Sequence, residues 1–136
     1  TRSKPSQVFA FAARGNGIPP NDNLTANIKF QNESVASIIY SGLGDASFSK
    51  ERIEALGGGA VYVVDDFREL LIVKQSRKRR KKRLSQDKGH REEVRRFIEA
   101  VKTGGEMPIP FDEIVATTLT TLKIEESILA GKPLDI

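Results

Sequence analysis

Apolar and polar residues alternate over much of the first half of the chain, and the spacing becomes helical in the second half. Leu24, Ala26, Ile28 and Phe30 recur at every second position, which places them on one face of a strand. Gln31-Asn32-Glu33-Ser34 then reverses the chain, and Val35 to Tyr40 returns as the hairpin partner. Ahead of them, Gln7 to Ala13 reads as an edge strand with Val8, Phe9 and Phe11. Gly15-Asn16-Gly17 and Pro19-Pro20 break it into a loop. Two further strands, about Lys50 to Leu56 and Ala60 to Val64, flank Gly57-Gly58-Gly59, where a missing Cβ permits the positive φ of a tight reversal. Glu69 to Lys74 gives one more strand, and the run of seven basic residues Arg77 to Arg83 at its end is expected to form a solvated hairpin tip.

From His90 the period changes. Val94, Phe97, Ile98 and Val101 stand at i, i+3, i+4 and i+7, the stripe of a helix packed on one side. Asp87 is placed to accept hydrogen bonds from its first amides, and Gly104-Gly105 with Pro108 end it. Asp112 is the expected N-cap of a second helix, whose packing face is read as Val115, Leu119, Leu122 and Leu129. Gly131 and Pro133 close that helix, and Pro133 to Ile136 adds a short terminal strand. Strands followed by a helix pair predict an α+β fold, a largely antiparallel open β-sheet with the two C-terminal helices packed on one face. Along Val35 to Ser41 neither set of alternate residues is wholly polar, which suggests that a missing domain or another subunit covers the second face of the sheet.

At 136 residues the chain is expected to form a single domain. A hydrophobic content of 38% with 29% charged residues argues against global disorder. The absence of cysteine excludes disulfides and thiolate metal sites and suits a reducing cytoplasm, the expected location. No apolar run approaches bilayer length, so no membrane partner is expected, and the start Thr1-Arg2-Ser3-Lys4-Pro5 lacks the apolar stretch of a signal peptide. The net charge of +4 is local in origin. Without the run Arg77 to Arg83, the 22 basic residues fall to 15 against 18 acidic ones, a balance of −3.

The glycine hairpin around Gly57-Gly58-Gly59, the helix opening at Asp87-Lys88-Gly89-His90 and the ending Ser127-Ile128-Leu129-Ala130-Gly131-Lys132-Pro133 stand in a distinctive order. In that order and spacing, from about Asn23 to Ile136, the chain resembles the C-terminal domain of the Gfo/Idh/MocA (glucose-fructose oxidoreductase / inositol dehydrogenase) family. The resemblance implies an enzyme that transfers hydride between NAD or NADP and a sugar, sugar derivative or cyclitol. It also implies a Rossmann domain, absent from this sequence, as cofactor carrier and partner. The domain would form the substrate-side wall and self-associate through its sheet into a homo-oligomer. The fragment alone is then expected to bind no cofactor and to be inactive.

The candidate chemistry is sparse. Gly15-Asn16-Gly17-Ile18-Pro19-Pro20 is the nearest string to a dinucleotide fingerprint, but prolines stand where a helix should begin. The family's Glu-Lys-Pro motif is missing, since Ser3-Lys4-Pro5 and Gly131-Lys132-Pro133 lack the glutamate, so no role passes to Lys4 or Lys132. His90 is the single histidine and reads as a helix start. Asp65-Asp66, at a strand end, reads as a turn. By resemblance, the loop entering the strand near Lys50 faces substrate and nominates Phe48, Ser49 and Lys50. An aromatic there stacks on a sugar ring and a lysine donates to hydroxyls or a carboxylate. No catalytic residue and no metal ligand is assigned.

Two alternatives stand beside the oxidoreductase reading. One is a small nucleic-acid-binding module using Arg77 to Arg83, since a basic run attracts phosphates and releases counterions. Nucleic acid is nevertheless not expected as a partner, because the run has no interleaved aromatic and the rest of the chain is acidic. The other is a purely structural dimerisation domain.

Overall fold

A computed structural model of the chain describes residues 3–15 and 22–136. Of the loop expected over Gly15 to Pro20, residues 16–20 fall outside the described residues. The elements are β1 (Pro5–Ala12), β2 (Asn23–Phe30), β3 (Val35–Ser41), β4 (Arg52–Gly57), β5 (Ala60–Asp65), β6 (Glu69–Lys74), β7 (Arg77–Lys82), α1 (His90–Thr103), α2 (Phe111–Ala130) and β8 (Leu134–Asp135). Every pairing is antiparallel and the fold is α+β. The strands form two four-stranded open sheets, ordered β3-β2-β1-β8 and β4-β5-β6-β7. They belong to two compact units, Thr1–Leu43 with Gly104–Ile136, and Gly44–Thr103.

In the first unit the alternation of β2 is realised as expected. Leu24, Ala26, Ile28 and Phe30 share a face with Val8, Ala10 and Ala12 of β1, and Ile124, Ile128 and Ile136 pack against them. Burying each large aliphatic side chain contributes about 1.5–3 kcal/mol. β1 is not an edge strand: β8 pairs with its other side at Gln7 and Val8. Because β8 is only two residues long, the amide of Ala10 lies beyond its reach. The hydroxyl of Ser127 accepts that amide at 3.1 Å and donates to the carbonyl of Lys132 at 2.8 Å. Ser127 is completely buried, and its own carbonyl accepts the amide of Gly131, whose left-handed φ of 64° ends α2.

Close approach decides which face of α2 is covered. The helix meets the sheet through Ala116, Thr120, Ile124, Ser127 and Ile128, while the expected stripe of Val115, Leu119, Leu122 and Leu129 is exposed. Ala10, Ala26 and Ser127 are small, which lets the helix come close enough for the hydroxyl of Ser127 to reach the amide of Ala10. Thr120 is tolerated in the core because its hydroxyl donates to the carbonyl of Ala116 at 2.7 Å. Asp112 does not cap the helix. Pro110 occupies the N-cap position without a side-chain bond, and Asp112 lies in the first turn, where its charge suits the positive end of the helix dipole.

The second unit is a run of hairpins. Gly58-Gly59, Asp66-Phe67 and Gln75-Ser76 each place two successive residues at φ between 49° and 70°, the left-handed pair that matches the twist of antiparallel strands. The basic residues are not the tip but the returning strand. β7 pairs with β6 from Lys74↔Arg77 to Glu69↔Lys82, and Gln75-Ser76 makes the turn. α1 begins at His90, as its period predicted. Asp87 accepts the amide of Gly89 at 3.0 Å rather than an amide inside the helix. Its apolar residues Val94, Phe97, Ile98 and Val101 are 45–57% exposed, and Ala100 is its buried position. The carboxyl of Glu92 is held down to about 2 by hydrogen bonds from Arg95 and then Arg96.

Two stability changes follow. Ser127→Ala leaves the amide of Ala10 and the carbonyl of Lys132 unpaired, and urea unfolding should show a loss of about 1–3 kcal/mol; a loss below about 0.5 kcal/mol would contradict this role. The double change Gln75→Asn, Ser76→Gly supplies residues that favour the left-handed turn. It should raise stability by about 0.5–1 kcal/mol in the same experiment, and a decrease would contradict the turn geometry.

Candidate functional site

The loop nominated by the sequence lies in the second unit and is organised by one aspartate. Asp45 Oδ1 accepts the amide of Ser47 at 2.8 Å and its hydroxyl at 2.6 Å, and the Asp45 carbonyl accepts the amide of Phe48 at 3.0 Å. The hydroxyl bond from Ser47, followed by the amide bond, holds the Asp45 carboxyl below the usual carboxylate range. This turn presents Phe48 with 78% of its surface exposed, followed by exposed Ser49 and Lys50. Beyond them Glu51 anchors the loop: it forms an ion pair with Lys88, and its carbonyl accepts the amide of Asp66 at 2.7 Å. The three nominated residues thus sit together and exposed at the end of this turn.

The other ionisable candidates are placed structurally. Asp66 sits in a left-handed turn and accepts Gln86 at 2.8 Å, with Arg68 at 3.3 Å. His90 is 80% exposed and 4.0 Å from Glu93, so no carboxylate fixes its orientation. Among the described residues no cluster of His, Cys, Asp or Glu is arranged to hold a metal ion. No helix among them is long and apolar enough to cross a membrane.

The first unit contains a groove that sequence reading did not reveal. It encloses about 700 Å³ between the inner sheet face and the first turns of α2, within the size range of small-molecule sites. Phe30, Ile38 and Ala116 supply apolar lining. Lys4 and Asp112, 3.6 Å apart and distant in sequence, form an exposed ion pair among its lining residues. The hydroxyls of Thr117 and Thr121 line it too, each donating to the carbonyl four residues back, so they present acceptor lone pairs to the groove. No linear signal could have found it, because its walls come from β1, β2, β3 and α2.

No protein-family model matches the chain, and no curated protein matches it in sequence. Solved structures match its fold over nearly its whole length. A UDP-N-acetylglucosamine 3-dehydrogenase from Acidithiobacillus ferrooxidans superposes with a TM-score of 0.81 at 18% identity, covering 96% of this chain and 42% of that one. An aldose-aldose oxidoreductase from Caulobacter crescentus gives 0.79 at 13% identity, covering 98% and 42%. A levoglucosan dehydrogenase solved with NADH and levoglucosan gives 0.77 at 19% identity, covering 98% and 45%. The chain therefore spans less than half the length of the structures it matches. Its fold is that of a domain found in Gfo/Idh/MocA-type oxidoreductases, as the order of its turn, helix and terminal signatures implies.

Proposed function

We propose that this chain is the C-terminal, substrate-side and subunit-contact domain of a longer NAD(P)-dependent oxidoreductase that acts on a sugar, sugar derivative or cyclitol. The observation that carries this reading is the asymmetry of coverage. Solved oxidoreductases match 96–98% of this chain, but the match occupies only 41–45% of their own lengths. Room remains in each for a nicotinamide-binding domain. An oxidoreductase from Agrobacterium radiobacter, solved with NAD+, and the levoglucosan dehydrogenase, solved with NADH, share the fold of this chain.

In this reading Phe48, Ser49 and Lys50 face the substrate. Phe48 offers a stacking surface for a sugar ring, and Lys50 donates to hydroxyls or a carboxylate. Hydride transfer belongs to the cofactor-bearing portion, so this chain contributes binding and orientation rather than redox chemistry. Self-association runs through the outer face of the first sheet, where Phe11, Val35 and Ile39 are 56%, 77% and 82% exposed. Phe9 lies beside Phe11 on that face, ring centroids 4.4 Å apart in an edge-to-face arrangement. An apolar sheet face of this kind in a folded chain is a candidate subunit interface.

In the full-length protein, NAD(P)+ reduction followed at 340 nm should respond to at least one of a panel of aldoses, nucleotide sugars and inositols; inactivity on all of them would overturn the reading. Lys50→Ala should raise KM for that substrate about tenfold or more and leave KM for the nicotinamide unchanged, as expected for loss of a charged hydrogen bond. An unchanged substrate KM would remove Lys50 from the site. Light scattering should report an oligomer that Ile39→Glu dissociates, and a wild-type chain that stays monomeric at all concentrations would contradict the proposed interface.

A further inference from the structure

The strand register divides the basic run into two unequal surfaces. On one face of the second sheet, Lys78, Arg80 and Lys82 of β7 stand with Glu69 of β6, Asp65 of β5, and Arg52 and Glu54 of β4. The charges there are largely matched. Glu69 accepts Arg80 at 2.9 Å and Lys82 at 3.1 Å, and Arg52 reaches Glu54 at 2.6 Å. The opposite face carries Arg77, Arg79 and Lys81 together with Lys74. Its remaining strand positions are Leu70, Ile72, Ala60, Tyr62, Val64, Ile53, Ala55 and Gly57. None of these is acidic, and none of the four cations forms an ion pair with a described residue.

Cations on a free edge strand oppose pairing with another sheet, and that accounts for a basic β7. It does not account for counter-charges confined to one face. On the unmatched face Arg77, Arg79 and Lys81 recur about every 6.8 Å along the strand, a row able to meet successive charges of an extended polyanion. The cross-strand row Arg79, Ile72, Tyr62 sets an aromatic ring two strands away, roughly 10 Å across the sheet. Tyr62 is 41% exposed on a floor of half-buried Leu70, Ile72 and Val64. A cationic track beside an aromatic on an open antiparallel sheet is the combination that binds single strands, the phosphates taken by the track and a base stacked on the ring. We propose that this face binds single-stranded nucleic acid without sequence preference, independently of the oxidoreductase reading.

The test is fluorescence anisotropy of a labelled thymidine 12-mer titrated with the chain at several NaCl concentrations. Neutralising four phosphates predicts a slope of log K against log [NaCl] of about −3, or about fifty-fold weaker binding at 200 mM than at 50 mM. The triple variant R77Q/R79Q/K81Q should abolish binding, whereas K78Q/R80Q/K82Q, with the same change in net charge, should leave it within about threefold. Tyr62→Ala should weaken binding to the 12-mer about tenfold. Far-ultraviolet circular dichroism checks each fold, and the single change Arg79→Glu replaces the first triple if that variant does not fold. The proposal is overturned if the 12-mer does not bind, or if the two triples weaken it equally, as diffuse attraction would. It also fails if duplex binds as well as single strand with Tyr62→Ala silent. Binding to phosphatidylserine-containing vesicles in place of the 12-mer would assign the face to a membrane instead.

Discussion

The first unit depends on one buried hydroxyl. β8 is too short to pair along all of β1, so the amide of Ala10 would be a buried donor without an acceptor. Ser127 supplies the acceptor from a helix, and its proton goes to the carbonyl of Lys132 in the segment that leads into β8. Strand, helix and returning terminus are thereby tied at one point. The bond fixes the distance of α2 from the sheet, and that distance sets the demand for alanine at positions 10 and 26. The groove near Lys4 and Asp112 belongs to the same part of the fold, lying where the first turns of α2 stand over Phe30 and Ile38.

The second unit is held differently. Each reversal of its meander uses two left-handed residues, so its register is set by turns rather than by a helix packed on the sheet. That register has an electrostatic consequence. Moving β7 by one residue relative to β6 would carry Arg80 and Lys82 away from the face of Glu69 and turn the unmatched cations toward it. Lysine and arginine carry aliphatic stems that can cover apolar surface while their charged ends stay in water, and this lets a fully exposed run of them form an edge strand.

Apolar surface remains outside both cores: Val35 and Ile39 on β3, Leu119, Leu122 and Leu129 on α2, and Phe97 and Val101 on α1. Exposed apolar surface of this kind offers candidate contact faces, and the chain spans only 41–45% of the lengths of the oxidoreductases whose fold it shares. The groove in the first unit and the Phe48 to Lys50 turn in the second each place polar groups near apolar ones.

Much of the architecture was already written in local pattern. The period-2 run from Leu24 to Phe30, the glycines at 58 and 59, the helical stripe from Val94 and the stop at Gly131 each act within a few residues, so they located strands, turns and helix ends correctly. Long-range contact decided the rest. Whether β1 is an edge depended on a terminal strand more than a hundred residues away. The buried face of α2 was chosen by a hydroxyl and two alanines rather than by its larger leucines. Read as a line, Arg77 to Lys82 has no aromatic near it. Only cross-strand pairing sets Tyr62 in its row and Glu69 on one side of it, because a sheet brings together residues that the chain keeps apart.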